Sequence, residues 1–304
     1  MNMLLMMSNV RASAREVPSD LLVNAVAEAD AVVVGIGSGM SSASGYDFYR
    51  ADMLDSPELA PFQDHYHFKS LFDGFYHLFP SLEAQWGFLK AVIEMLSDVP
   101  VGHTYNDLAN LLEGKEYFTL STNVDCQTER AFPAERICLY QGSLGYLQCK
   151  QPCCDELWEA KPLLDALVAE CGSDDAPAGT LDGLVPRCPE CGWPMVPWVR
   201  DDTFLEGEKW REGTGRYEDF VRKALADKSK KVLFLELGVG EMTPGIITLP
   251  FWSMVERNEN TRLLSVNLSH GSTPQHLGMR AQILQGDLGA ILSAAVSTKK
   301  EASE

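Results

Sequence analysis

Five short apolar runs, rich in β-branched residues, constrain this chain more than anything else in it: residues 31–35 (AVVVG), 117–120, 137–140, 232–237 (VLFLEL) and 263–268 (LLSVNL). Each is nearly continuous in hydrophobicity, and Gly, Asn or Ser closes them, as in strands buried on both faces of a parallel sheet. Residues 281–284 form a weaker sixth run. Helical spacing fills the intervals at 21–29, 82–96, 106–112, 217–226 and 288–295. Strands alternating with helices predict an α/β fold with a doubly wound parallel sheet.

Two stretches break the rhythm. Residues 46–98 are rich in aromatics without a convincing strand and read as a helical insertion over one end of the sheet. Residues 147–199 hold six of the eight cysteines and several prolines and read as a separate small module. The doubly wound core then takes residues 1–45, 99–146 and 200–304. A net charge of −18 argues against a nucleic-acid or anionic-membrane partner, since either demands a basic face. The apolar start MNMLLMMSNV is too short to span a bilayer and lacks the features of a signal peptide, so the expected location is the cytoplasm. There, clustered cysteines are metal ligands or free thiols rather than disulfides.

The first strand runs into Gly37-Ser38-Gly39-Met40-Ser41. Glycines at such a turn let the backbone approach a pyrophosphate, whose charge sits against free N–H groups at a helix N-terminus. The bland alternative is a tight strand-to-helix loop. The spacing departs from the dehydrogenase fingerprint, and no clear acidic residue closes the second strand to hold an adenosine ribose, which weighs against hydride transfer.

Cys188-Pro-Glu-Cys191-Gly is a zinc-ribbon knuckle, and Cys149 with Cys153 or Cys154 supplies the second pair. Cys153 is the preferred fourth ligand and Cys154 the fallback. Four thiolates suit tetrahedral Zn²⁺, and a site without an open position is structural. A reducible dithiol at Cys188 and Cys191 is the rival reading. Cys126, Cys138 and Cys171 read as core or incidental thiols.

Taken together and in order, these features resemble the sirtuin family. Gly37 to Gly45 followed by Asp47-Phe48-Tyr49-Arg50 is similar to the family's G-A-G-x-S…G-I-P-D-F-R segment without its proline. Ser121-Thr122-Asn123-Val124-Asp125 matches T-Q-N-I-D. The cysteine knuckles follow, and Gly238-Val239-Gly240 with Thr243-Pro244 stands at the G-T-S…P loop. Asn267-Leu268 takes the place of the adenosine-ribose asparagine. The likeness spans about residues 30–290. It implies a Rossmann-like core that binds NAD through Gly37, Ser38, Gly39, Ser41, Asn123, Asp125, Gln141, Gly238, Val239, Gly240, Thr243, Asn267 and Leu268.

The departures matter as much. The family's H-G-S, whose histidine is the general base of lysine deacylation, is here Gln141-Gly142-Ser143, and no histidine lies between residues 104 and 269. An amide takes no proton near neutrality, while general-base catalysis contributes about 10²–10⁴-fold. The loop that grips acyl-lysine becomes Trp198-Val199-Arg200-Asp201-Asp202. These substitutions resemble the microbial class M sirtuins, which implies protein ADP-ribosyl transfer in company with a macrodomain hydrolase and a lipoyl-carrier protein. Asn123 and Asp125 are then expected to hold the nicotinamide carboxamide and ribose, and Gln141 to orient a ribose hydroxyl. Arg200 would grip an acceptor carboxylate or a phosphate. Asp202 and Glu206 stay outside the catalytic set, because acidic residues abound. A lysine deacylase with a substitute base and a non-catalytic NAD sensor are the rival readings.

Overall fold

The computed structural model describes residues 18–171, 182–242, 244–268 and 273–301. Its centre is a six-stranded sheet of β1 (Ala31–Ile36), β2 (Glu116–Ser121), β3 (Ile137–Leu139), β7 (Val232–Leu237), β8 (Thr261–Asn267) and β9 (Ala281–Gln285). The strands are all parallel, in the order β3-β2-β1-β7-β8-β9. That is the order of a doubly wound sheet, and all six apolar runs of the sequence lie in it. A second, antiparallel sheet joins β4 (Gly142–Cys149), β5 (Trp158–Glu159) and β6 (Met195–Val199) in the order β5-β4-β6.

The helices are α1 (Pro18–Glu28), α2 (Ser38–Ser42), α3 (Ala60–Tyr66), α4 (Leu71–Phe75), α5 (Leu82–Asp98), α6 (His103–Leu111), α7 (Gln127–Ala131), α8 (Ala160–Cys171), α9 (Glu208–Ala226), α10 (Thr248–Arg257) and α11 (Leu288–Glu301). Alternation along β1 sends Val32, Val34 and Ile36 to one face, where Leu22 of α1, Leu108 of α6 and Leu292 of α11 cover them. Ala31 and Val33 point to the other, against Val221 of α9 and Phe251 of α10. With both faces covered, continuous hydrophobicity is what such strands require.

The remaining elements form a second unit. Phe62, Phe68, Leu71, Trp86 and Phe88 from residues 46–98 share one core with Leu144, Leu147, Leu164 and Met195. The helical insertion and the cysteine module therefore pack as one body, although more than 40 residues separate them in sequence. Its small sheet begins at Gly142, inside the stretch that the sequence reading gave to the doubly wound core. Among the described residues, no helix is long and apolar enough to cross a membrane.

Candidate active site

The order of strands reverses between β1 and β7, and ligands of such sheets bind outside the carboxyl ends of the strands at that point. A cavity of about 360 Å³ opens there, lined by both units. Ser38 and Ser41 come from α2, Thr122, Asn123 and Asp125 from the turn after β2, and Gln141 from the turn before β4. Val196, Pro197, Val199, Arg200 and Asp201 come from β6 and the loop beyond it. The opposite wall is aromatic and includes Tyr46, Phe48, Tyr49, Phe72, Phe75 and Trp86. Among the described residues, no histidine lines it.

Asn123 and Asp125 are buried and joined by one hydrogen-bond network. The Asn123 amide nitrogen lies 2.9 Å from the Gly37 carbonyl, from Ser41 Oγ and from Tyr105 Oη. The hydroxyls of Ser41 and Tyr105 both donate to Asp125 Oδ2, the latter at 3.1 Å, and the Gln127 N–H donates to Oδ1 at 3.2 Å. Burial pushes the Asp125 carboxyl above the usual carboxylate range, and these three donors oppose the shift. Among the described residues, the Gln141 side-chain amide has no hydrogen-bond partner, while its backbone carbonyl accepts from the Arg200 N–H at 3.0 Å. Gly142 beside it adopts φ +82, and a Cβ there would lie 1.9 Å from the Trp198 carbonyl, so only glycine makes this turn.

The glycine turn has a steric reason of its own. A Cβ on Gly37 would lie 2.6 Å from the Gly238 carbonyl oxygen, and one on Gly39 2.7 Å from the Gly238 Cα. The turn after β1 thus packs backbone against backbone on the turn after β7, and the Gly39 N–H donates to the Gly238 carbonyl at 2.9 Å. At the neighbouring strand end Asn267 donates to the Val239 carbonyl at 2.8 Å, Gly240 is open, and Leu268 is exposed. The expected cofactor residues therefore fall into two adjoining groups. Ser38, Ser41, Asn123, Asp125 and Gln141 surround the cavity. Gly238, Val239, Gly240, Asn267 and Leu268 gather at the ends of β7 and β8, and Gly37 and Gly39 join the two. Thr243 lies outside the described residues.

Arg200 is less free than the sequence suggests. Its guanidinium sits 4.2 Å from the centre of the Phe204 ring, near Tyr140 and Trp210, and bonds Glu206 at 2.8 Å. An incoming anion would compete with Glu206 for it. Sequence reading missed the aromatic wall and Tyr105. The wall's signal was present as the aromatic density of residues 46–98, but that density reads equally as ordinary core.

The Sγ atoms of Cys149, Cys153, Cys188 and Cys191 all lie within 4.8 Å of one another, with Cys149–Cys191 at 3.5 Å and Cys153–Cys188 at 3.6 Å. Tetrahedral zinc with bonds of about 2.3 Å spaces its sulfurs by roughly 3.8 Å, so the four thiols fit it. Cys154 stands outside the group, 3.8 Å from Cys153. Burial pushes the Cys138 thiol up to about 12 and raises that of Cys126, as suits core cysteines. The side chain of Cys171 is outside the described residues.

No family profile matches the chain. A protein ADP-ribosyltransferase of Staphylococcus aureus is 28% identical over 282 residues, covering 91% of this chain and 87% of that protein. A probable bifunctional ADP-ribose hydrolase/ADP-ribosyltransferase of Fusarium oxysporum is 29% identical over 252 residues; they cover 80% of this chain and 41% of that longer protein. Among solved structures, a mutant of Sir2 homologues in complex with 2′-O-acetyl ADP ribose superposes with a TM-score of 0.56 at 17% identity, over 93% of this chain and 97% of that one.

Proposed function

We propose that this chain, a sirtuin in fold and most like the class M sirtuins, is an NAD-dependent protein ADP-ribosyltransferase that releases nicotinamide and joins ADP-ribose to a protein. One observation carries the reading: Asn123, Asp125 and Gln141 line one cavity that no histidine among the described residues lines, and Gln141 stands in sequence where the deacylases carry their base. The names of both curated relatives support it.

When bound, NAD supplies an activated ribose whose bond to nicotinamide breaks through a state with positive charge on the sugar. The buried Asp125 carboxylate would oppose that charge from a site of low dielectric, where one fixed counter-charge counts most. Asn123, its two amide hydrogens shared among three acceptors, keeps its oxygen for the nicotinamide carboxamide. Gln141 orients a ribose hydroxyl without deprotonating it. Deacylation needs that deprotonation, whereas attack by an acceptor on the anomeric carbon does not. Four cysteines hold a structural zinc remote from the chemistry.

The favoured acceptor is a lipoylated carrier protein, since the aromatic wall suits an apolar arm. A macrodomain hydrolase is the functional partner, consistent with the hydrolase activity named in the Fusarium relative. The reaction is assigned to the cytoplasm.

The test incubates the protein and labelled NAD with lipoylated carrier and, separately, with acyl-lysine peptides. Label on the carrier with free nicotinamide supports transfer. Rapid peptide deacylation with no labelled protein returns the chain to the deacylases, and no nicotinamide at all makes it a sensor.

A further inference from the structure

Tyr105 lies wholly behind the cavity and touches none of its space, yet it contacts three of the residues assigned to the reaction. It stands in the first turn of α6. That turn is bolted to its surroundings: the Gly102 N–H donates to Gln127 Oε1 at 2.7 Å, and Thr104 Oγ1 donates to the Met40 carbonyl at 2.9 Å. The Tyr105 ring is packed in the main core with no exposure, so its hydroxyl has one place to go. There it accepts from Asn123, donates to Asp125 Oδ2 at 3.1 Å, and lies 3.2 Å from Ser41 Oγ.

We infer that Tyr105 is a positioning residue for NAD cleavage, fixing the Asn123 amide and holding the Asp125 carboxyl ionised through a buried hydrogen bond. The inference rests on the NAD-cleaving reading above. Its physical basis is that a buried carboxylate has few ways to stay charged. Among the described residues, no cation lies on Asp125. The nearby Arg130 spends its guanidinium on the Leu96 and Val99 carbonyls. Among the described residues, the other groups that feel its charge are Tyr46, Tyr105, Cys126 and Glu129, none of them a cation. Its ionisation therefore depends on hydrogen-bond donors, namely the Ser41 and Tyr105 hydroxyls and the backbone N–H groups of Gln127 and Asp125 itself, and Tyr105 is one of the two hydroxyls on Oδ2. A phenylalanine would keep the ring's packing and remove that donor alone, leaving Ser41 on Asp125 and the Gly37 carbonyl and Ser41 on Asn123.

The test compares wild type with Tyr105→Phe in nicotinamide release from NAD between pH 5 and 9, together with carbon-13 NMR titration of the Asp125 carboxyl in the free protein. Thermal melting checks that the variant folds. The expected result is a fall of about tenfold in kcat, the worth of one hydrogen bond to a charged group. The acidic limb of the rate profile moves to higher pH, and so does the Asp125 titration in the absence of NAD, because the lost bond had lowered it. A merely structural tyrosine would lower rate at every pH alike and leave the titration in place, which overturns the inference while wild-type turnover keeps the NAD reading intact. Absence of nicotinamide release from wild type overturns both.

Discussion

Glu236 puts a carboxyl in the middle of β7, where its neighbours are Phe234, Leu235 and Leu237 and its own exposure is 3%. Burial raises it from 4.5 to about 7, with the Ser265 and Thr248 hydroxyls opposing the shift and Oε1 left without a hydrogen-bond partner. The folded chain therefore holds a proton that the unfolded chain releases. Stability from this group is full below about pH 4.5, is lost as pH rises to 7, and is flat above, a loss on the order of 3 kcal/mol. Glu236→Gln should raise the melting temperature at pH 7.5 and flatten its slope between pH 5 and 7; parallel slopes for the two proteins would contradict this. In the sequence, VLFLEL is simply an apolar run, and one charge inside it gives no sign of its burial. Tyr105 was equally illegible, because a lone tyrosine on a helix reads as core. Gln141 was legible only because its neighbours form a motif.

At the scale of elements, the crossing of two glycine turns makes a sharp forecast. Gly37→Ala places a methyl against backbone that cannot yield, which should cost about 1–3 kcal/mol. Gly240→Ala meets nothing within 4 Å and should stay within about 0.5 kcal/mol by chemical denaturation. Equal effects would show that the turns do not bear on each other. The zinc forecast is also local. Elemental analysis should find one zinc per chain in wild type and in Cys154→Ser, and none in Cys188→Ser, which should melt earlier because metal binding and folding of the module are linked. Strands of the large sheet were readable since burial on both faces leaves an unbroken apolar signature. The small antiparallel sheet was not: β4 contains two glycines and a register shift, and β5 has two residues. Helix α10 was missed for a different reason, as Pro250 in its first turn reads as a break although proline is tolerated there.

For the whole molecule, the cavity between two units ties ligand binding to stability. NAD at a hundred times its dissociation constant should stabilise the chain by about 2.7 kcal/mol if only the folded form binds it. The rise in melting temperature should vanish in Asp125→Ala, and an undiminished rise there would move the cofactor elsewhere. The second unit also governs the order of assembly. Its core is stitched from residues 46–98 and 142–199, so neither piece buries its apolar face alone, and the loop between them must close first. The parallel strands β1 and β2 bring the pieces together, but Cys188 and Cys191 leave the ribosome long after Trp86. During synthesis the first part of that core therefore waits for the later segment, Cys188 included, that packs against it. If the four cysteines hold zinc, a shortage of metal would be first a problem of nascent-chain solubility, felt before any question of catalysis arises.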